Sequence, residues 1–162
     1  MEQKRPRITI IPTTADKALE ILAWAVLAGL WLYVILRYPS LPDIIPTHIN
    51  GKGEIDGHGS KQTLWIIPGI ATVLFVGITI LNRYPHIFNY PTEITEENAP
   101  RIYRLATRMM RFMKLSTTLI FCIIVYDMTR RIDGSAPWIL PLIMLISGVP
   151  LIWFLYKTFR NA

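Results

Sequence analysis

The sequence predicts an all-α integral membrane protein, a bundle of four transmembrane helices with a short cytoplasmic amphipathic helix and an extracytoplasmic polar loop. Of its 162 residues, 52% are hydrophobic, above the roughly 45–50% that is usual for soluble domains. Four apolar runs are long enough to cross a hydrocarbon core of roughly 30 Å at about 1.5 Å per residue. The Lys and Arg residues gather mainly at the flanks of these runs, as in membrane proteins.

The predicted spans lie at about 18–37, 62–81, 112–129 and 136–156, within a single membrane domain of residues 1–162. The first run contains one charged residue, Glu20, and the second run, from Leu64 to Leu81, contains none. The third run is the shortest, but it continues backward into Phe112 and Met113. The fourth run is again uncharged, so four crossings account for every long apolar run.

The distribution of basic residues predicts the orientation of the chain. One predicted side carries Lys4, Arg5, Arg7, Lys17, Arg83, Arg101, Arg104, Arg108, Arg111, Lys114, Lys157 and Arg160. The other side carries Arg37, Lys52, Lys61, Arg130 and Arg131. Because basic flanks stay on the cytoplasmic side, we expect a multi-pass membrane protein with both termini in the cytoplasm. We expect the N-terminal tail, up to about Thr14, to be mobile.

Composition argues against three classes of protein. The net charge of +6 is spread over membrane flanks and no nucleic-acid motif is present, so we expect no nucleic-acid partner. The single cysteine, Cys122, has no partner for an intrachain disulfide. The acidic residues of the spans are Glu20 and Asp127, both near membrane boundaries, which argues against an ion path.

A basic amphipathic helix is predicted at about 95–111, running into the third span. Thr95 is a candidate N-cap, and two acidic residues follow it in the first turn. At about 100° per residue, one face carries Arg101, Arg104, Arg108 and Arg111. The opposite face carries Ile102, Leu105, Met109, Phe112 and Met113. The arginine face predicts binding of anionic lipid head groups or of an acidic cytosolic partner, with an ordinary positive flank as the alternative.

The polar loop at 38–61 is the predicted functional site. Prolines favour an extended entry, and later glycines permit tight turns, so the segment can fold back as a compact cap. Its ligand-binding candidates are Asp43, His48, Asn50, Asp56, Ser60 and Lys61. If the first four converge, they suit a divalent metal, with His48, Asp43 and Asp56 as ligands, or a polar ligand. The spacing fits neither an EF-hand nor a zinc-protease motif, and turn capping is the alternative role.

The loop sequence LPDIIPTHINGKGEIDGHGSK resembles the signature LPDxIPxHxNxxGxxDxxGSK of the SdpI family. The N-terminal region of that family is a bacterial domain of unknown function. Named members are bacterial membrane proteins that give immunity to a secreted toxic peptide, and one also sequesters a transcriptional repressor at the membrane. The resemblance therefore implies an immunity protein of a bacterial plasma membrane that uses this loop.

Three functions follow as hypotheses. An immunity protein would engage a toxin peptide outside the cell through the loop. A small metal-dependent membrane enzyme would use His48 as a ligand or general base, oriented by Asp43 or Asp56, with Lys61 neutralising developing negative charge. A signalling subunit would recruit a cytosolic partner through the arginine face. The sequence leaves a monomer and a homo-oligomer equally open.

Overall fold

The computed structural model of the protein describes residues 5–130 and 137–160. Its long helices are α1 (Thr14–Arg37), α2 (Ile66–Leu81), α3 (Ala99–Arg130) and α4 (Ile139–Arg160). Two strands, β1 (Ile44–Ile49) and β2 (Ile55–Ser60), lie between α1 and α2. By length and composition, each long helix could cross a membrane, α2 together with the short 3₁₀ helix that precedes it. The predicted helical fold class, with four helices that could span a membrane, is therefore confirmed, and a small strand pair is added in the polar loop.

α1 begins four residues before the predicted start of the first span because its first turn is capped. The Thr13 N–H donates to Asp16 Oδ2 at 2.9 Å, and the Asp16 N–H donates to Thr13 Oγ1 at 3.3 Å. These reciprocal bonds satisfy two of the free N–H groups at the helix start. At its C-terminal end, α4 continues past the predicted end of the fourth span to Arg160. The predicted start of that span at 136 lies outside the described residues.

The amphipathic segment and the third span form one continuous helix of 32 residues, α3. It starts at Ala99, four residues after the predicted start. Thr95 does act as a local cap, because its Oγ1 accepts from the Asn98 N–H at 3.3 Å, and its carbonyl accepts from the Ala99 N–H at 3.0 Å. Pro100 has no N–H with which to continue this pattern, so the regular helix begins beside the proline.

α3 is the central helix of the bundle. It packs against α1, α2 and α4, whereas α4 packs mainly against α3. The main core joins α1, α2 and α3, and on α1 its buried residues recur every three or four positions, at Ala23, Leu27, Leu30 and Val34. Most of the large apolar side chains of α4 remain exposed on the protein surface, as expected for a helix that faces lipid.

The N-terminal segment from Arg5 packs against the protein, so the prediction of a mobile tail up to Thr14 is wrong for these residues. An Arg5 guanidinium nitrogen donates to the Phe88 carbonyl at 2.6 Å, and the Tyr103 hydroxyl donates to the Pro6 carbonyl at 3.2 Å. Ile8 and Ile10, two positions apart in an extended chain, both pack on a small apolar cluster around Tyr103. Burial in this cluster outweighs the freedom that a short tail would otherwise keep.

Candidate functional site

The predicted polar loop forms an antiparallel hairpin of β1 and β2. Its register pairs Ile45 with Gly59 and His48 with Gly57, with irregularities on either side of His48. Ile45 is only 1% exposed and belongs to the main core, together with Leu41 and Leu64 from the two ends of the loop. The hairpin is therefore fixed to the bundle by apolar burial, and its polar side chains are held on an ordered support.

The base of the hairpin is closed by Lys61. Its ammonium group lies 3.1 Å from Asp43 Oδ1 and donates to the Leu41 carbonyl at 3.3 Å. The same group lies 5.4 Å from the centre of the Tyr38 ring. The Lys61 N–H also donates to the Asp43 carbonyl at 2.9 Å. The two ends of the signature thus meet, and the contacts between Asp43 and Lys61 hold them together.

Asn50 and Ser60 hydrogen-bond to the backbone beside them. Asn50 Oδ1 accepts from the Lys52 and Glu54 N–H groups at 2.9 and 3.1 Å, and Asn50 Nδ2 donates to the Glu54 carboxylate at 2.9 Å. Ser60 Oγ accepts from the Gln62 N–H at 3.3 Å, at the start of the 3₁₀ helix that leads into α2. For these two residues the geometry matches the turn-capping alternative.

His48 and Asp56 form a pair across the hairpin, in which His48 Nδ1 donates to Asp56 Oδ1. The pair faces outward, with 70% of the His48 side chain and 44% of the Asp56 side chain exposed. Gly57 makes this approach possible, because a Cβ atom added there would lie 2.8 Å from His48 Cβ. The glycine after Asp56 therefore sets the position of the imidazole.

The four candidates predicted to converge are not brought together. Asp43 and Asn50 lie just beyond opposite ends of β1, which by strand geometry separates them by roughly 20 Å. The described residues contain no group of three or more His, Cys, Asp and Glu side chains that could hold a metal ion. Ligand binding by the individual residues stays a prediction, and the arrangement offers one exposed imidazole–carboxylate pair.

A cavity of about 200 Å³ lies between the hairpin and the neighbouring ends of α3 and α4. His48, Ile49 and Gly53 line it from the hairpin, while most of the remaining wall is apolar and comes from the two helices. Asp127 of α3 also lines it and is 3% exposed. Sequence reasoning noted Asp127 only as an ionisable residue near a membrane boundary. Its position just before the end of an apolar helix was the available signal.

The arginine face divides into two parts. Arg101 and Arg104 are exposed, whereas Arg108 and Arg111 form ion pairs with α1. Arg108 Nε lies 2.8 Å from Asp16 Oδ1, and Arg111 Nε lies 3.3 Å from Glu20 Oε1. α3 turns two of the four arginines of the predicted face toward the acidic residues of α1, and lipid or partner binding by this face stays a prediction.

Lys114 completes this network, although helical periodicity alone does not place it there. Its side chain is 1% exposed, pairs with Glu20 and donates to Thr79 Oγ1 at 3.0 Å. Met113, predicted to lie on the apolar face opposite the arginines, is 37% exposed. The sequence does carry a signal for this network. Two acidic residues lie one turn apart on α1, and basic residues recur every three positions on α3.

Residues 25–72 match a family described as a domain of unknown function, DUF1648. The matched segment runs from α1 through the hairpin into α2. An uncharacterized protein of Archaeoglobus fulgidus is 39% identical over 87 residues, covering 49% of this chain and 48% of the archaeal protein. The matched region is thus about half the length of that relative. No solved structure matches the chain.

Proposed function

We propose that this membrane protein recognises a secreted toxic peptide outside the cell and gives immunity to it, with the hairpin as the recognition element. The observation that carries this proposal is the cavity of about 200 Å³ between the hairpin and the ends of α3 and α4. Its apolar wall suits an apolar side chain of a peptide, and His48 at its edge can hydrogen-bond to a peptide group. The resemblance of the signature loop supports the same reading.

The proposal requires the hairpin to lie outside the cytoplasm. The excess of Lys and Arg on the side that carries both termini supports this orientation, since positive flanks are retained inside. The exposed side chains of Arg101 and Arg104 lie on that same side. A bacterial plasma membrane belongs to the proposal as well.

A metal-dependent enzyme receives less support. Asp43 is held by Lys61 at the base of the hairpin, away from His48, and Nδ1 of His48 is already engaged by Asp56. A metal ion bound to the other imidazole nitrogen, Nε2, would need its remaining ligands from residues outside this pair. Recognition needs no such set, because an anchored hairpin with an adjacent cavity is sufficient to bind a peptide.

The test is protection of growing cells against a chemically synthesised peptide toxin encoded beside the gene. Leu140 lines the cavity and is 44% exposed, and Leu151 lies on the same helix, 43% exposed, outside the cavity lining. We expect the wild-type protein to raise the inhibitory concentration of the peptide. Leu140→Ala should weaken this protection about tenfold, since a lost apolar contact is worth roughly one to two kcal/mol.

Leu151→Ala is the matched control and should protect like the wild type. Membrane levels of each variant are compared by immunoblot. The proposal fails if the inserted wild-type protein protects against no co-encoded peptide. It also fails if Leu140→Ala and Leu151→Ala protect equally well.

A further inference from the structure

An open groove separates α1 from α4 at the end of the bundle that carries the termini. It contains a cavity of about 640 Å³, within the range of about 300–1,000 Å³ that is usual for small-molecule sites. Its walls are apolar, with Leu19 and Leu22 on one side and Trp153 on the other, and among the described residues Arg108 is the one charged residue of the lining. In a membrane, such a groove is filled by hydrocarbon.

A second cavity of about 390 Å³ adjoins the first, because Arg108 lines both. Arg101 and Arg104 line this second cavity. Both are exposed, and among the described residues neither has an acidic side chain within ion-pair distance. The charge of Arg108 is balanced by Asp16, since Arg108 Nε lies 2.8 Å from Asp16 Oδ1. The second cavity is therefore cationic, and it lies at one end of an apolar groove.

Thr158 of α4 provides an independent observation in the same cavity. It lines the cavity and is 2% exposed. Its Oγ1 atom is buried and has no hydrogen-bond partner within residues 5–130 and 137–160. A buried hydroxyl without a partner is unfavourable, and most such groups in native proteins are satisfied by a protein group, a water or a ligand.

We propose that the two cavities together bind one anionic phospholipid. Its phosphate contacts Arg101 and Arg104 and accepts a hydrogen bond from the Thr158 hydroxyl. Guanidinium groups suit this role because they form charge-assisted, bidentate hydrogen bonds with phosphate oxygens. One acyl chain lies in the groove, along the stretch of α1 from Ala15 to Leu22, about 10 Å at 1.5 Å per residue.

The joined cavities favour a lipid over an acidic protein segment. An acidic segment would use the exposed arginines but would leave the apolar groove without an occupant of matching chemistry. A phospholipid satisfies both, since it carries a phosphate and a hydrocarbon chain in one molecule. The site lies at the opposite end of the bundle from the hairpin, so its test is independent of the immunity proposal.

Native mass spectrometry of the delipidated, detergent-purified chain tests the site by titration with dioleoylphosphatidylglycerol and, in parallel, dioleoylphosphatidylcholine. We expect one molecule of the anionic lipid to bind at least about tenfold more tightly than the zwitterionic one. Arg104→Gln should remove about tenfold of this affinity. Arg83→Gln, which removes an exposed arginine outside both cavities, should leave the affinity unchanged.

A second pair of variants tests the acyl groove. Ala18→Phe places a large ring in the groove and should weaken binding of the anionic lipid, whereas Ala25→Phe, at an exposed position of α1 that lines neither cavity, should not. Equal affinities for the two lipids, or equal effects of the two arginine variants, would overturn the proposal. So would competition by inorganic phosphate combined with no effect of Ala18→Phe, because the cationic cavity would then bind an anion without an acyl chain.

Discussion

Single atoms decide the geometry of the hairpin. The exposed pair of His48 and Asp56 depends on the missing Cβ of Gly57, because an added Cβ would stand 2.8 Å from His48 Cβ. The contact is to the stem of the side chain, which cannot swing away without moving the backbone. A methyl group at Gly57 must therefore displace β1 or β2.

Gly57→Ala should loosen the hairpin and separate His48 from Asp56. The expected cost is about 1–3 kcal/mol, as for other over-packed contacts. Amide hydrogen exchange of β1 and β2, followed by mass spectrometry in detergent, measures the change. Gly51→Ala is the matched control, since nothing lies within 4 Å of a Cβ added at Gly51. Equal exchange in the two variants would contradict the steric role of Gly57.

The contact between α1 and α3 joins charged and apolar packing at the level of whole helices. Asp16 and Glu20 of α1 face Arg108, Arg111 and Lys114 of α3, at the end of the bundle near the termini. The Lys114 ammonium also lies 4.5 Å from the centre of the Phe75 ring of α2. Such contacts fix the rotation and axial position of α3 relative to its neighbours, because a buried charge left without its partner is strongly unfavourable.

A double-mutant cycle measures this coupling between the helices. Lys114→Met removes the cation from a site that is 1% exposed, and Glu20→Gln removes the carboxylate charge. We expect the two changes to be non-additive by about 1–3 kcal/mol in the free energy of unfolding, measured in detergent micelles. After Lys114→Met, Arg111 still pairs with Glu20, which reduces the loss of stability that this substitution causes.

The coupling between Asp43 and Lys61, measured in the same way, is the comparison for the coupling between Glu20 and Lys114. The Asp43 side chain is 92% exposed, so solvent screens the pair, and its coupling should be much smaller than that of Glu20 and Lys114. A larger coupling for the hairpin pair than for the pair between α1 and α3 would show that burial does not govern these interactions.

The whole molecule has two chemically different ends. One end carries the hairpin and the cavity beneath it, and the other carries both termini, the ion-pair network and the exposed arginines. α4 packs mainly on α3, which leaves the groove between α1 and α4 open to lipid. This asymmetry separates the two proposed sites, and the orientation of the chain decides which of them meets the cytoplasm.

Cysteine labelling in intact cells measures that orientation. In a Cys122→Ser background, Lys52→Cys places a thiol at the exposed tip of the hairpin, and Glu96→Cys places one at an exposed position near the start of α3. We expect a membrane-impermeant maleimide to label the first thiol before lysis and the second only after lysis. The physical reason is retention of positive flanks on the cytoplasmic side. The reverse pattern would place the hairpin inside.

The sequence by itself determined the fold class and the number of spans. Span length and apolar composition are local properties, and a bilayer admits few alternatives to a helix for such a segment. The capping role of Asn50 was also open to prediction, since Asn side chains bond to backbone groups a few residues away. The segment that carries the resemblance is also the one that forms the hairpin.

Only the tertiary structure decided which charged groups meet. The sequence places Arg108 and Arg111 on a face with Arg101 and Arg104, yet contacts with α1 separate the two pairs. Helical periodicity gives the angle of a side chain about its own axis but does not say which helix stands opposite. The pairing of His48 with Asp56, and the distance of both from Asp43, likewise depend on strand register and anchoring, which are set by contacts distant in sequence.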